Sequence, residues 1–417
     1  MKARFKSRIL PYIASLAVLL ACPTYAVTSG ATAPEQVVHI YLDADLSGAK
    51  ASGVSIERGI RTALDEANGT VGDFELKLLV RDHRGNSGRS KDHLDEFLED
   101  AAALAVVSGL HSPPLLAHRD FINENEILVM DPWAAAGPIT RYPSANNWIF
   151  RLSVDDTKAG YVISQYAVEE RGFRRPLLVL ENTGWGKSNE RTMEAALEEL
   201  GTDPVGVLWF NWSLTDRGAK ELLMNARALD PDCIFFVGNS NEAKTLVQNM
   251  ARLPEEQRIP ICSHWGLTGG DFPKVIGADI RSNIDLTFIQ TSFSFVSSEL
   301  SVFQQLVFNR CQALFPGQVK TYADLEAPTG FIHAYDLTRI LIEALKQIEP
   351  SGNALEDRRR TRIALEHLRV PVQGLIKVYE QPFGVWSGDN PDAHEALEIS
   401  DYKMARYGDR GQIELVK

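Results

Sequence analysis

Residues Leu104–Thr140, LAVVSGLHSPPLLAHRDFINENEILVMDPWAAAGPIT, carry the clearest fold signal of this chain. The apolar run Leu104–Val107 ends in a small-residue turn, a helical pattern follows, and a second apolar run, Ile127–Met130, leads into the loop Asp131–Thr140. In a parallel sheet, the loops that follow neighbouring strands emerge at one edge, where α/β proteins bind ligands. The polar and aromatic side chains lie in these loops, so the stretch predicts a strand–helix–strand unit with a binding edge.

The same alternation of strand and helix patterns continues on both sides of this stretch. Further apolar runs with strand character are Val37–Leu42, Glu75–Arg81, Leu177–Leu180, Val205–Phe210, Cys233–Val237, Ile259–Cys262 and Asp285–Ile289. Helical patterns include Ile56–Ala67, Gly160–Arg171, Ser188–Leu200, Ala243–Leu253, Ser298–Leu314, Gly330–Ile348 and Thr361–Arg369. Polar Pro350–Arg362 is predicted as a connector. Alternation of this kind predicts an α/β fold with parallel sheets. Since the pattern occurs before Trp148 and again after Pro176, it predicts two Rossmann-like lobes.

The first 26 residues have the pattern of a secretory signal peptide. Basic residues precede an apolar stretch from Ile9 to Cys22, and Thr24-Tyr25-Ala26 fits a small-x-small cleavage site. The predicted location is therefore periplasmic, after cleavage behind Ala26. Leu19-Leu20-Ala21-Cys22 also resembles a lipobox, so a lipid anchor at Cys22 is the alternative.

The net charge indicates which partners are disfavoured, and the cysteine content indicates which disulfide is possible. The 417-residue chain has a net charge of −12, which disfavours nucleic acid and anionic membranes as partners. Beyond the signal segment, Cys233, Cys262 and Cys311 remain. Cys233 and Cys262 lie on neighbouring predicted strands and could pair, and three buried free thiols are the alternative.

Several segments match one family pattern in order and spacing. Gly109 and Ser112 occupy a Gly…Ser loop, and Asp131–Ala135 (DPWAA) occupies a Ser-Pro-x-Ala-Thr loop. Trp148–Asp156 (WIFRLSVDD) matches a crossover with Phe-Arg and a later Asp, and Trp185–Ser188 (WGKS) replaces Tyr-Gly-x-Gly. Together with Asp230–Asn241, these segments resemble the type I periplasmic solute-binding proteins of ABC transporters, in the leucine/isoleucine/valine-binding (branched-chain amino acid) family. The resemblance covers nearly all of the mature chain.

The resemblance implies two lobes that are joined by three chain crossings and that close on a ligand by hinge motion. The crossings are expected near Phe150–Ser153, Phe288–Phe293 and Val370–Gly374. Residues 27–150 and 294–370 would form the first lobe, and residues 151–293 and 371–417 the second. The implied function is delivery of a small organic molecule to an ABC permease. The alternative is a sensory subunit that signals to a membrane receptor or a sensor kinase.

Three positions of the family's amino-acid site depart from its pattern. Ser112, predicted as the N-cap of a helix, is implied to hold a ligand carboxylate, but Pro113 and Pro114 remove two amides of the helix N-terminus that would help. Ala134-Ala135 replaces Ala-Thr, so one hydroxyl is lost. Trp265 replaces a Glu that family members set against a ligand ammonium. The head-group site of an amino-acid binder is therefore incomplete.

Tryptophans follow predicted strands on three different loops. If Trp133, Trp185 and Trp265 all face the cleft, they would sandwich a flat apolar ligand or surround an alkylammonium group. Asn239 follows the strand CIFFV and either contacts ligand or, as the preferred interpretation, caps the next helix. The predicted ligand-binding set is Ser112, Trp133, Ala134, Ala135, Trp185, Asn239 and Trp265. The predicted ligand is amino-acid-like or, as the preferred alternative, aromatic or apolar.

The sequence contains only incomplete matches to catalytic and cofactor-binding motifs. Gly186-Lys187-Ser188 has the end of a P-loop, but Glu181 stands where its first glycine belongs, and a carboxylate there would repel phosphate. His394-Glu395 has no second His at zinc-site spacing, and no GxSxG motif occurs. The sequence therefore predicts a binding protein without enzymatic activity, cofactor or metal.

Overall fold

The first half of the chain forms a six-stranded sheet in a computed structural model that describes residues 36–296 and 299–416. Its strands are β1 (Gln36–Ala44), β2 (Thr70–Val71), β3 (Phe74–Asp82), β4 (Ala103–Ser108), β5 (Val129–Asp131) and β6 (Ile149–Arg151). Their spatial order is β2-β3-β1-β4-β5-β6, and all pairs except β2–β3 are parallel. Three helices lie between the strands: α1 (Lys50–Glu66), α2 (Ser87–Glu99) and α3 (Ser112–Glu124). We call the body built on this sheet the first lobe.

A second parallel sheet follows and forms the second lobe. Its strands are β7 (Pro176–Glu181), β8 (Gly206–Phe210), β9 (Cys233–Val237), β10 (Ile261–Ser263) and β11 (Leu286–Thr291). The helices are α4 (Asp156–Gln165), which continues in a π-helical turn (Tyr166–Glu170), α5 (Gly184–Glu199), α6 (Asp216–Ala228), α7 (Ser240–Ala251) and α8 (Phe272–Asn283). Strand β9 is buried throughout, as expected for a parallel strand that is covered on both faces. The predicted α/β fold with two lobes is confirmed.

The last third of the chain returns to both lobes. It contains α9 (Val302–Leu314), α10 (Pro328–Leu345), α11 (Ala354–Glu366) and the small hairpin of β12 (Val372–Gln373) and β13 (Val378–Tyr379). Strands β14 (Tyr402–Tyr407) and β15 (Ile413–Leu415) then extend the second sheet beside β11. Helix α10 packs closely on α1, because a Cβ at Gly59 would lie only 2.5 Å from the carbonyl oxygen of Phe331.

Helix α11 corrects the prediction of a polar connector at 350–362. The side chain of Asn353 accepts hydrogen bonds from the amides of Leu355 and Glu356, at 3.0 and 3.2 Å, and so caps a helix that begins inside this segment. The run of charged residues concealed the helix, because a solvated helical face has no apolar periodicity of its own.

Buried ion pairs hold the end of β6 to a distant part of the chain. Arg151 is fully buried, and its Nη2 donates to Asp155 Oδ1 at 2.8 Å and to Glu395 Oε1 at 2.5 Å. Arg141 Nη2 also donates to Asp155, at 2.6 Å. Burial alone would raise the pKa of Asp155, but the adjacent Arg151 charge lowers it below its usual value. The group is therefore ionised and paired where the chain leaves the first sheet.

The sequence left open whether Cys233 and Cys262 form a disulfide or whether all three cysteines are free. Cys233, Cys262 and Cys311 are free, buried thiols, so Cys233 and Cys262 do not pair. Burial raises the pKa of Cys262 to about 12 and of Cys311 to about 11, which suppresses thiolate chemistry.

The lobe boundaries remain a prediction. The ring of His394 stacks on Phe150 at 3.8 Å and Leu375 N donates to Asp336 of α10, so these residues contact the first lobe. Such contacts favour a third crossing between Leu397 and Tyr402 instead of at 370–374. The predicted signal peptide, residues 1–26, and Cys22 lie outside the described residues. Within the described part, no helix has both the length and the apolar character to cross a membrane.

Candidate functional site

Loops from both lobes meet in a cleft at the carboxyl ends of the strands. Six of the seven predicted ligand-binding residues line one small space there: Ser112, Trp133, Ala135, Trp185, Asn239 and Trp265. We call this space the cleft floor. It has a volume of only about 10 Å³, room for one water molecule at most, so the lobes are closed on it. Ala134 is not part of its lining, and its carbonyl instead accepts from Arg151 Nη1 at 3.2 Å.

The three tryptophans form one aromatic cluster across the two lobes. The rings of Trp133 and Trp265 lie 5.7 Å apart between centroids, and Trp265 lies 5.0 Å from His333. Trp185 meets His264 edge-on at 5.2 Å, and its Nε1 donates to Asp156 Oδ1 at 3.0 Å. All three indoles are at most 5 % exposed. Within the described residues, the buried Trp133 Nε1 has no hydrogen-bond acceptor.

Ser112 lies one position further into the helix than predicted. His111 is the N-cap of α3 and Ser112 is its first residue, with the two prolines next. The Ser112 hydroxyl accepts from Ala136 N at 3.2 Å and so ties α3 to the loop after β5. The anion site at this helix N-terminus is therefore as reduced as the sequence indicated.

The preferred interpretation of Asn239, that its side chain caps the next helix, is wrong. It occupies the N-cap position of α7, but its side chain makes no capping hydrogen bond. Its Nδ2 instead donates to Glu181 Oε2 at 2.9 Å. Glu181, at the end of β7, is 1 % exposed, and its Oε1 accepts from Thr183 Oγ1 at 3.0 Å. The amide nitrogen of Asn239 thus binds a buried carboxyl group, and its amide oxygen accepts no hydrogen bond from the first turn of α7.

Glu181 is a residue of the cleft floor that the sequence interpretation missed. Burial raises its pKa to about 7, and hydrogen bonds from Trp212 and Thr183 offset this only in part. A carboxyl group with a perturbed pKa in a cleft indicates a functional site. Its position at the carboxyl end of a buried strand is the signal in the sequence that identifies it as a candidate.

A larger cavity of about 860 Å³ lies outside the floor, between the lobes. We call it the outer cavity. The N-terminal ends of α1, α7 and α8 border it, and none of the three has a side-chain cap within the described residues. Free amides at helix N-termini attract hydrogen-bond acceptors and anions. The hydroxyl of Ser240, 6 % exposed in this wall, also has no hydrogen-bond partner among the described residues.

An acid–histidine–tryptophan contact joins the lobes at the border of the two spaces. His111 Nε2 lies 3.2 Å from Asp45 Oδ2, and its ring lies 5.2 Å from that of Trp212, which comes from the loop after β8. Burial opposes the charge on Asp45, but hydrogen bonds from His111 and from the Gly48 and Ser47 amides prevail and lower its pKa to about 2. The sequence did not single out Asp45 or Trp212 as site residues.

Two ion pairs join charged residues of the outer wall to each other within the described residues. Lys244 Nζ lies 2.7 Å from Asp271 Oδ1 within the second lobe. Lys274 pairs with Glu326 across the cleft. Acidic and basic side chains occur in equal number in the wall, so the cavity has no dominant charge: the acids are Asp45, Glu242, Asp271, Asp324 and Glu326, and the bases are Lys50, Arg58, Arg84, Lys244 and Lys274.

The fold agrees with comparisons to known proteins. A family model described as periplasmic binding protein matches residues 41–279, more than half of the chain. The chain therefore belongs to the type I periplasmic binding protein family, as the sequence resemblance predicted. A search of curated proteins finds no match.

Solved structures share this fold at low sequence identity. A type 1 periplasmic binding protein from Bordetella pertussis is 17 % identical over 91 % of this chain and 100 % of its own, with a TM-score of 0.76. A branched-chain amino acid transporter substrate-binding protein from Streptococcus pneumoniae, in complex with isoleucine, is 18 % identical over 92 % and 100 %, with a TM-score of 0.72. An ABC transporter solute-binding protein from Rhodopseudomonas palustris, in complex with p-hydroxybenzoic acid, is 16 % identical over 92 % and 96 %, also with a TM-score of 0.72.

Proposed function

We propose that the protein is an exported solute-binding protein that captures a small organic molecule between its lobes and presents it to an ABC permease. The observation that carries this proposal is the convergence of loops from both sheets on one cleft. Ser112 and Trp133 reach it from the first lobe, and Trp185, Asn239 and Trp265 reach it from the second. Closing such a cleft buries a ligand on all sides and creates the compact form that a membrane partner can recognise.

The ligand is proposed to have an aromatic or apolar body. Three indoles supply apolar surface at the floor, whereas the family's amino-acid head-group positions are depleted at Pro113-Pro114, Ala135 and Trp265. The similar structures include one that binds isoleucine and one that binds p-hydroxybenzoic acid. The tryptophan cluster favours a ligand with an aromatic body, which the second of these has, for this chain.

The outer cavity supplies the volume that the floor lacks. Its roughly 860 Å³ lies within the range of about 300–1,000 Å³ that is usual for small-molecule sites. Because His111 and Asn239 border both spaces, a ligand that enters the outer cavity also meets the floor. The unpartnered Trp133 Nε1 and Ser240 Oγ would donate hydrogen bonds to its polar atoms.

Contacts between the lobes would stabilise the closed form. Gly137 N of the first lobe donates to Ser188 Oγ of the second at 3.1 Å. The His111–Trp212 contact and the Lys274–Glu326 pair also bridge the lobes. A ligand that fills the cleft would stabilise these contacts and shift the open–closed equilibrium by its preference for the closed form.

A thermal-shift screen of the mature protein tests the proposed function. The panel holds hydroxybenzoates, arylalkyl amines, branched-chain amino acids and short amides, and a binder at a hundredfold excess over its Kd adds about 2.7 kcal/mol of stability. Trp185→Ala should abolish the shift, and Trp386→Ala, outside the cleft, should retain it. A shift with leucine or valine alone would contradict the proposed ligand class. If no compound binds, the proposed binding function fails for these classes.

Export is part of the same proposal. Residues 1–26 are proposed as a cleaved signal peptide, with lipidation of Cys22 as the alternative. Mass spectrometry of the exported protein distinguishes an N-terminus at Val27 from a lipid-modified Cys22.

A further inference from the structure

The cleft floor combines aromatic and acidic groups without a basic side chain that is permanently charged. Its lining, as far as the structure describes it, includes three tryptophans and Glu181 but neither Lys nor Arg. The Glu181 carboxyl is 1 % exposed, and the donors that contact it are neutral: the hydroxyl of Thr183, the amide of Asn239 and the indole of Trp212. Among the described residues, no basic side chain lies within 4.0 Å of it.

A buried carboxylate without a cationic partner is costly in a folded protein. The charged groups that face Glu181 are Glu242, which opposes its ionisation, and His111, which favours it. Glu242 is already engaged, since its Oε1 accepts from Ser213 N at 2.9 Å. The protein itself therefore leaves the charge of Glu181 uncompensated at the place where a ligand would enter.

We propose that the cleft floor binds an alkylammonium head group, with Glu181 as its counter-ion and Trp133, Trp185 and Trp265 as the surrounding aromatic faces. This inference rests on the proposed function and names the ligand class of the same site. A cation near indole faces is attracted by their negative π-surfaces, and a carboxylate adds a direct charge interaction. An anionic head group would instead meet the Glu181 carboxyl and a helix N-terminus whose second and third residues are prolines.

The head group enters only when the lobes are apart, because the closed floor holds about 10 Å³. Separation of the Trp133 and Trp265 rings, which now lie 5.7 Å apart, would create the space. The apolar body of the ligand would then extend past His111 and Asn239 into the outer cavity. The proposed ligand is therefore an amine with an apolar or aromatic substituent.

Binding of a cation should also expel a proton from the floor. Glu181 has its pKa raised to about 7 by burial, so it is largely protonated at pH 6. An ammonium group stabilises the ionised carboxylate, which releases the carboxyl proton to solvent. Neutral and anionic ligands of the same shape provide no such stabilisation.

Three probes of one shape and different charge test this inference on the mature protein: phenethylamine, 2-phenylethanol and phenylacetate. We expect phenethylamine to bind at least tenfold more tightly than either of the others. Isothermal titration at pH 6 in buffers of different ionisation enthalpy should show release of a proton with phenethylamine alone. Glu181→Gln, which removes the charge and keeps the length of the side chain, should remove both the preference and the proton release.

The control is Glu198→Gln, an exposed position on the helix that follows Glu181, and it should behave as the wild type. In Glu181→Gln, binding of 2-phenylethanol should change by less than twofold, which shows that the floor is still folded. Tighter binding of phenylacetate would overturn the cation assignment and leave the proposed function intact. Binding of none of the three would overturn the assignment, and a negative result over the wider panel would overturn the proposed function as well.

Discussion

The cleft floor and the outer cavity are built from different kinds of contact. The floor is nearly filled by indoles that are at most 5 % exposed, and about 10 Å³ remains between them. The outer cavity has about 860 Å³, helix N-termini without side-chain caps and the half-exposed Trp212. A side chain of the floor therefore contributes to both folding and recognition, whereas one in the outer wall contributes mainly to ligand contact and lobe closure.

The largest expected difference in stability is between a tryptophan of the cleft floor and a tryptophan of the outer cavity. Trp265 is 1 % exposed and Trp212 is 37 % exposed. Trp265→Ala should lower the free energy of unfolding by about 3–5 kcal/mol, because it leaves a cavity in a packed region. Trp212→Ala should lower it by less than about 1 kcal/mol and should mainly weaken ligand binding. Urea denaturation measures the free energy of unfolding, and calorimetry measures ligand binding. Equal losses of stability in the two variants would contradict the distinction between the cleft floor and the outer cavity.

The acid of the floor should destabilise the fold as pH rises. Burial raises the pKa of Glu181 from its usual 4.5 to about 7, so the unfolded chain ionises first and the folded state loses stability between these values. Glu181→Gln removes this loss, and its stability relative to wild type should increase by about 3 kcal/mol between pH 4 and pH 8. Urea denaturation across this range measures the difference, and a pH-independent difference would contradict the burial argument.

The acid of the outer cavity should have the opposite pH dependence. The pKa of Asp45 falls from 3.8 to about 2, so its contribution is present above pH 4 and is lost as pH falls through this interval. Asp45→Asn should cost about 1 kcal/mol at pH 6, a value reduced for screening by the adjacent solvent-filled cavity, and progressively less below pH 4. A cost that persists unchanged at pH 3 would assign the effect to packing rather than charge.

The smallest effect on stability is expected at Ser240. Its hydroxyl has no partner among the described residues, so Ser240→Ala removes no observed hydrogen bond and should change the free energy of unfolding by less than about 0.5 kcal/mol. If a ligand atom accepts from this hydroxyl, affinity should fall severalfold, as expected for a net loss of about 1 kcal/mol. Unchanged affinity would place the ligand away from this wall.

The sequence predicts more residues of the cleft floor than of the outer cavity. Trp133, Trp185 and Trp265 each follow a strand, and parallel topology alone brings such positions to one edge. Strand β9 was predicted with its observed bounds, because a short buried apolar run is distinctive. In contrast, α11 has a charged surface, and its start depends on a cap at Asn353 that composition does not reveal.

The residues that were missed depend on contacts between distant segments. Trp212 of the second lobe meets His111 of the first lobe, and the side chain of Asn239 donates to Glu181 and does not cap α7. Neither partner can be identified from local pattern, since each pair joins loops that lie far apart in sequence. Periodicity predicts which face of an element is buried but not which polar groups meet at its ends.

Closure of the lobes on a ligand is the central claim, and an interlobe distance tests it most directly. Spin labels at Asp120→Cys on α3 and Glu221→Cys on α6 lie at exposed positions of the two lobes, and Cys233, Cys262 and Cys311 are buried. With the best ligand from the thermal-shift screen at saturation, pulsed electron resonance should show a shorter and narrower distance distribution. Trp185→Ala should leave the distribution as it is without ligand. An unchanged distribution in the ligand-saturated wild-type protein would contradict capture between the lobes.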